Sequence, residues 1–474
     1  MAQSPSVASS SSRAPARTHT HAPGTDLSTI AAIATPPGRG AVAIVRASGA
    51  EVRAIAGRVF RAREPLAPRL ATLGRVVDGD GSTIDCGLAL LFIAPASYTG
   101  EDVLELHVHG SPTVARDVLL AVLAAGARLA GPGEFTRRAF LSGKLDLTAA
   151  EAVGELIAAE DRSQARGAAA RLSGGLAREV DRARATLDAI VEELGAAIDF
   201  PDDVPSLEQS ELTARIDSVD AHLATLEATW EAGRRVREGL SVAIVGPPNA
   251  GKSSLLNGLL GIDRALVSSE AGTTRDTIEE SIALGGGSSA RLIDTAGLRD
   301  ATEALEAAGI ARSHAALAEA TLALVVIDGA RALDARARDV LAATRGRDRV
   351  VFFNKADLGR AGFDAREAAE AGALFGSAHD AESIAILRET LRAAAGADRV
   401  DLARPHLGTA RQGDAVLEAR RALARVRATL GAGEPVDLVA GDVMAARASL
   451  HELTGRAASE SLLDAIFARF CIGK

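Results

Sequence analysis

The chain is poor in several residue types. Its 474 residues include two cysteines, Cys86 and Cys471, two methionines, one tryptophan and one tyrosine, and aromatics make up only 3%. Two cysteines exclude a disulfide framework and suit a reducing compartment. With so few rings, the cores must be built of alanine, leucine and valine, which favours helices. No apolar run reaches the roughly 18–20 residues of a membrane span, so no span is expected. Excess positive charge is also missing. The net charge of −9 means that any RNA contact must use a local basic patch. The length is too great for one core and implies about three domains.

Residues 1–25 stand apart. They are rich in Ser, Ala, Thr and Pro, carry Arg13 and Arg17, and contain no acid. Such a segment buries too little apolar surface to order itself. It reads as a disordered extension of a cytoplasmic protein. An organellar transit peptide is the lesser alternative, because two arginines are few for one.

What the chain does have is centred on Gly246-Pro-Pro-Asn-Ala-Gly-Lys-Ser253, which fits G-x-x-x-x-G-K-[ST]. The β-branched run Leu240–Val245 precedes it and helically spaced leucines follow, the strand–loop–helix context that the motif needs. Asn249, Ala250, Gly251, Lys252, Ser253 and Ser254 would wrap a phosphate chain at a helix N-terminus. Lys252 would reach the β- and γ-phosphates and Ser253 would ligate Mg²⁺. Downstream, Thr274 in Ala271-Gly-Thr-Thr-Arg-Asp276 can supply a second hydroxyl to Mg²⁺. In Asp294-Thr295-Ala296-Gly297, Asp294 can hold Mg²⁺ through water and the Gly297 N–H can meet the γ-phosphate. Strand Leu322–Ile327 ends at Asp328, and strand Val350–Phe353 delivers Asn354-Lys355-Ala-Asp357. The Asp357 carboxylate can accept from both guanine N1–H and the amino group, a pair that adenine lacks. Lys355 can lie along the base, with Ser377 and Ala378 closing the pocket. The residue after Gly297 is Leu298, not the glutamine that Ras-type GTPases use to orient water.

On the N-terminal side, strands are expected at Thr29–Ala34, Ala41–Val45, Cys86–Ile93 and Val103–His109, and a helix over Pro112–Ala125. Period two puts Glu105, His107 and His109 on one strand face, as a polar lining or part of a metal site. Pro132–Lys144 reads as a loop packed over something. Leu212, Ile216, Val219, Leu223, Leu226 and Trp230 form one helical stripe, and Leu187, Ile190, Val191, Leu194 and Ile198 another. Helical character returns after about Asp401 with Val416, Leu423, Val426 and Leu430, then at Val443–Leu450 and Leu462–Phe470. Two helical pieces around the nucleotide-binding middle suggest one helical domain with the middle inserted. Arg411, Arg420, Arg421, Arg425 and Arg427 form a basic cluster, either a solvated face paired with acids or a tRNA contact. Cys86 reads as a small packing residue.

These residues resemble the bacterial and organellar tRNA-modification GTPase family MnmE (TrmE). The stretches that carry the resemblance are Ala34–Gly40, Ser97–Asp102, Pro132–Thr136 with Gly143–Leu147, Gly272–Asp276 and the terminal Phe470-Cys-Ile-Gly-Lys474. The resemblance runs from about Asp26, leaving the disordered 1–25 outside it, and implies a multi-domain α/β and α fold: an α+β folate-binding domain over 26–143 and an all-α helical domain over 144–238 and 401–474. A Ras-like, doubly wound P-loop GTPase domain would be inserted at 239–400. It implies a tetrahydrofolate derivative held by Arg46, Glu105, Lys144 and Lys474. It further implies a K⁺ ion ligated by Asn249, Ser268, Glu270 and Thr273 in place of an arginine finger. Glu306 would position the attacking water, and Cys471 matches a cysteine important for the modification, either as a nucleophile toward uridine or in a structural role near the folate. The implied protein is a homodimer that joins an FAD-dependent, MnmG-type partner as a heterotetramer and acts on carbon 5 of the wobble uridine of tRNA. Two rivals share part of the pattern: an Era-type ribosome-assembly GTPase, and a folate-binding scaffold with a regulatory G domain.

Overall fold

A computed structural model describes residues 28–159, 162–200, 202, 208–230, 233–234, 240–261, 280–285, 288–293, 317, 320–359, 373–394 and 405–474. The chain divides into two units. One comprises the N-terminal part to Gly154 together with Ala458–Lys474; the other is Glu155–Ala457.

The first unit is built on a seven-stranded sheet. In chain order it holds β1 (Ile30–Ile33), β2 (Val42–Ser48), α1 (Val52–Val59), β3 (Phe60–Ala62), β4 (Thr72–Val77), β5 (Thr83–Phe92), β6 (Val103–His109), α2 (Pro112–Ala124), β7 (Arg128–Leu129) and α3 (Glu134–Leu141). The strand order is β3-β4-β5-β6-β2-β1-β7, antiparallel except at the β1–β7 edge. Alternation places Ala43, Val45 and Ala47 of β2 and Leu104, Leu106 and Val108 of β6 in a core with α1 and α2. The other face of the same two strands carries Arg46 and Glu105, directly opposed in register.

Residues 132–144 are not the loop that their charges and turn residues suggested. They contain α3, because Phe135 and Ala139 repeat at helical spacing and are both fully buried. Gly133 opens the helix in the left-handed region. Glu134 accepts from Arg128 at 2.6 Å and from Arg138 at 3.0 Å, so its charges fold inward rather than face water. Within α4 (Leu147–Ala158) the chain leaves this unit, and it returns only at Ala458.

The second unit opens with α5 (Arg162–Leu172), α6 (Gly175–Asp199) and α7 (Gln209–Glu227). A six-stranded sheet follows, with β8 (Leu240–Val245), α8 (Lys252–Gly261), β9 (Glu280–Gly285), β10 (Ser288–Ile293), β11 (Leu322–Asp328), α9 (Ala335–Ala343), β12 (Arg349–Asn354), β13 (Leu374–Phe375) and α10 (Ala381–Ala394). Its order is β13-β12-β11-β8-β10-β9, parallel except for β9 against β10. The central strands are buried on both faces, one core including α8 and α10 and the other α9. This is the doubly wound arrangement that near-continuous apolar strands dictate. Two long helices, α11 (Ala410–Gly431) and α12 (Val436–Thr454), complete the unit. Leu187, Ile190 and Leu194 from before the sheet and Val416, Leu423 and Val426 from after it share one core. The nucleotide-type sheet is therefore inserted within a single helical body.

The last helix, α13 (Glu460–Phe467), packs with the first unit. Leu463 and Phe467 share a cluster with Leu147 and Ala150. Sequence pattern had grouped this helix with α11 and α12, since an amphipathic stripe does not say which core it serves. None of the described helices is long and apolar enough to cross a membrane.

Candidate functional site

At the C-terminal end of β8 the backbone turns through Asn249, with φ of 62°, and Gly251, with φ of 88°, before α8 begins at Lys252. A side chain at Gly251 would strike the Asn354 amide. The Lys252 ammonium donates to the carbonyls of Gly246 and Pro247, both at 2.8 Å. Burial pushes that amine below its ordinary value of 10.5.

Asn354 closes β12 and is buried. Its Nδ2 donates to Ala250 O at 3.0 Å, and its Oδ1 accepts from Ala378 N–H at 2.9 Å. One side-chain amide thus joins the glycine-rich loop to the loop after β13. Lys355 sits in the left-handed region, with φ of 65°. Its ammonium donates to Asn249 O at 2.7 Å and pairs with Asp328 at 2.7 Å. Asp357 is exposed, and a hydrogen bond from the Ser377 hydroxyl holds its carboxyl below the usual 3.8. At neutral pH it therefore only accepts hydrogen bonds, as the guanine N1–H and amino group require.

The structure thus gathers Asn249, Ala250, Gly251, Lys252, Ser253 and Ser254 with Asn354, Lys355, Asp357, Ser377 and Ala378 at the C-terminal ends of parallel strands, where open α/β sheets bind ligands. Ser268, Glu270, Thr273, Thr274, Asp294, Thr295, Ala296, Gly297 and Glu306 lie outside the described residues.

A second cluster belongs to the first unit. Arg46 donates to Glu105 across the β2–β6 pair at 2.9 Å. The guanidinium lies 5.8 Å from the centroid of the Tyr98 ring and 5.7 Å from that of Phe135, within cation–π range. The Tyr98 hydroxyl is bonded to Thr136 at 2.9 Å, and burial raises its pKa above the ordinary 10.0. The terminal residues are anchored here too. Phe135 N–H donates to Lys474 O at 3.2 Å, and Gly133 N–H to Cys471 O at 3.4 Å. At Gly473, with φ of 98°, a Cβ would strike the Ile33 carbonyl. The Cys471 side chain is exposed. Lys144 caps α3 through its backbone and places its Cε beside Gly100. Arg46, paired with Glu105, and the Lys474 backbone meet at Phe135; Lys144 stands at the adjoining Tyr98–Gly100 loop. Sequence reasoning assigned no role to Tyr98 or Phe135. Their signal was their place in two of the stretches that carry the family resemblance, Ser97–Asp102 and Pro132–Thr136.

Two family descriptions match the chain: "GTP-binding protein TrmE N-terminus" over residues 29–144 and "MnmE helical domain" over 147–471. Named tRNA modification GTPase MnmE, the protein of Halorhodospira halophila is 44% identical over 464 residues, covering 95% of this chain and 96% of its own. Those of Moorella thermoacetica and Symbiobacterium thermophilum are 42% and 45% identical, each aligned over 94% of this chain and 99% of their own. The chain belongs to the MnmE family of tRNA modification GTPases.

Two sequence expectations meet different outcomes in this MnmE-family chain. The basic cluster is a paired helix face. Arg420 binds Asp220 and Glu227, Arg427 binds Asp217 and Asp220, Arg421 binds Glu418, and Arg425 binds Asp442. Arg411 donates to the carbonyls of Glu452 and Leu453. Cys86 is not a packing residue: it is exposed on β5, opposite Arg75, because the alternation of that strand turns it away from the core. On β6, His107 faces Glu105 at 3.3 Å and His109 faces Asp85 at 2.9 Å. Among the described residues no group of three or more His, Cys, Asp or Glu side chains could hold a metal ion.

Proposed function

We propose that this GTPase couples GTP hydrolysis to modification of carbon 5 of the wobble uridine of tRNA, working with an FAD-dependent partner protein and a tetrahydrofolate derivative. The observation that carries the nucleotide half is Asn354, which bonds at once to the phosphate loop and to the loop that closes on the base. In this reading Lys252 grips the β- and γ-phosphates, Ser253 and Thr274 hold Mg²⁺, and Asp357 selects guanine. Asn249, Ser268, Glu270 and Thr273 hold K⁺, which offsets charge on the transferring phosphoryl group. Glu306 orients the attacking water.

The folate half is supported by the Arg46–Glu105 pair. Its two side chains are 17% and 16% exposed, and its guanidinium lies beside the Tyr98 and Phe135 rings. An acceptor edge next to aromatic faces fits a pterin, and the cations Lys144 and Lys474 suit a glutamyl tail. Bound there, a tetrahydrofolate supplies a one-carbon unit. This chain's own residues orient it, and Cys471, exposed beside the anchored terminus, is available to the modification chemistry. Such a protein acts as a homodimer joined to its partner in a heterotetramer.

The test is GTP turnover by the purified protein in potassium and in sodium buffer, together with mass spectrometry of tRNA nucleosides from a deletion strain. Turnover is expected to be faster in potassium, and the modified wobble uridine should vanish from the strain. Equal rates would remove the potassium assignment, and unchanged nucleosides would remove the tRNA reading.

A further inference from the structure

Among the described residues, three other than glycine adopt a positive φ: Arg69, Asn249 and Lys355. Two of them meet. The Lys355 ammonium donates to the Asn249 carbonyl at 2.7 Å. Left-handed backbone at residues other than glycine is strained and persists only where neighbours over-determine it. Here the neighbour is Asp328, the last residue of β11. One of its carboxylate oxygens accepts from Lys355 at 2.7 Å, while the other accepts from the Ala330 N–H at 3.0 Å and so fixes the carboxylate in its own turn. Asp328 and Lys355 are 20% and 29% exposed, so the pair is partly shielded from solvent, where a charged hydrogen bond is stronger than at an open surface.

We infer that Asp328 is a positioning residue for nucleotide binding, which holds Lys355 so that its stem lies along the base while its ammonium pins Asn249 in the phosphate loop. Asp328 touches neither base nor phosphate in this arrangement; it acts through Lys355. The consequence is a link between the two ends of the nucleotide site. Loosening the lysine relaxes the base side and the strained phosphate-loop residue together, so nucleotide affinity falls while the chemical step at saturation is little changed. This inference rests on the guanine-pocket reading above.

The experiment uses the full-length protein and fluorescent GDP and ADP as probes. Asp328→Asn keeps the size of the side chain and the Ala330 contact but removes the charge. It is expected to raise the GDP dissociation constant roughly tenfold, to raise KM for GTP in step and to leave kcat within about twofold. In a Lys355→Met background the same change should have less than about a twofold effect, since the group through which Asp328 acts is gone. If Asp328→Asn does not fold, Asp328→Ser serves, because its hydroxyl can still accept from Ala330. An equal effect in both backgrounds, or a fall in kcat alone, would overturn the positioning role while leaving the guanine pocket standing. If wild-type protein binds ADP as tightly as GDP, the pocket reading itself fails and this inference falls with it.

Discussion

The backbone N–H of Phe135 donates to the carbonyl of Lys474 at 3.2 Å. The residue that ends the chain is thereby held against the helix whose Phe135 ring faces Arg46. The neighbouring bond from Gly133 N–H to Cys471 O and the bridge between Pro132 and Ile472 make the attachment a short zipper of backbone contacts rather than a single one. Deleting residues 471–474 leaves the Phe135 and Gly133 N–H groups without these acceptors, and buried donors left unpaired cost about 1–3 kcal/mol each. The truncated protein should lose several degrees of melting temperature and bind tetrahydrofolate more weakly. An unchanged melting curve would show that the zipper contributes nothing to stability.

Cys471 presents its carbonyl to Gly133 and its thiol to solvent. Cys471→Ser keeps the backbone bond and removes only the thiol. Surface substitutions of this kind stay within about 0.5 kcal/mol. The variant should therefore melt like the wild type, hydrolyse GTP at the wild-type rate and fail to restore the tRNA modification to a deletion strain. Full restoration would mean that the thiol takes no part in the chemistry.

The cross-strand pair Arg46–Glu105 predicts a graded result. Glu105→Gln keeps the shape and one acceptor oxygen but loses charge. Tetrahydrofolate affinity should fall about tenfold or more, as for a lost charge-assisted bond, while GTP turnover without tRNA is unaffected. Calorimetric titration of both variants, Glu105→Gln and Arg46→Ala, checks this; binding indistinguishable from wild type would place the folate elsewhere.

Asp357 accepts, so its replacement by Asn should invert the preference at that edge of the base. Xanthine carries a carbonyl where guanine carries an amino group, and an amide can donate to it. Asp357→Asn should bind GDP roughly a hundredfold more weakly and gain affinity for XDP. Retained GDP affinity in a competition assay would mean that Asp357 does not read the base.

Stability of the helical body should depend on pH through Asp220. Burial alone would raise its pKa, but hydrogen bonds from Arg420 and Arg427 more than offset this and hold it below 3.8. A carboxyl depressed on folding contributes stability that is fully present above its unfolded value and is lost as pH falls through the folded one. Asp220→Asn should therefore destabilise the protein by about 1–3 kcal/mol at pH 7. The difference from wild type should shrink below pH 3.8, as followed by urea unfolding across pH.

Much of this protein was legible before any coordinates. The phosphate loop, Asn354, Asp357 and the leucine stripes of α6, α7 and α11 could be read because local order dictates them. Glycine at a left-handed turn, period 3.6 along a helix and β-branched strands between breakers all leave their mark within about twenty residues. Short or mixed-character elements left none. Strands β3, β4 and β9 went unread, and Pro132–Lys144 was taken for a loop because its charges pair inside the fold, through Arg128, Glu134 and Arg138.

The sequence by itself determined the GTPase motifs, the helical body and the insertion of one in the other, since each is written in spacing along the chain. Tertiary structure alone decided which residues far apart become neighbours. It set Arg46 against Phe135 and Phe135 against Lys474, attached α13 to α3 and α4, neutralised the basic cluster with Asp217 and Asp220, and aimed Asp328 at Lys355. The physical reason is that periodicity fixes which face of an element is apolar but not which partner covers it. That choice is made by register and packing between segments that a one-dimensional pattern does not connect.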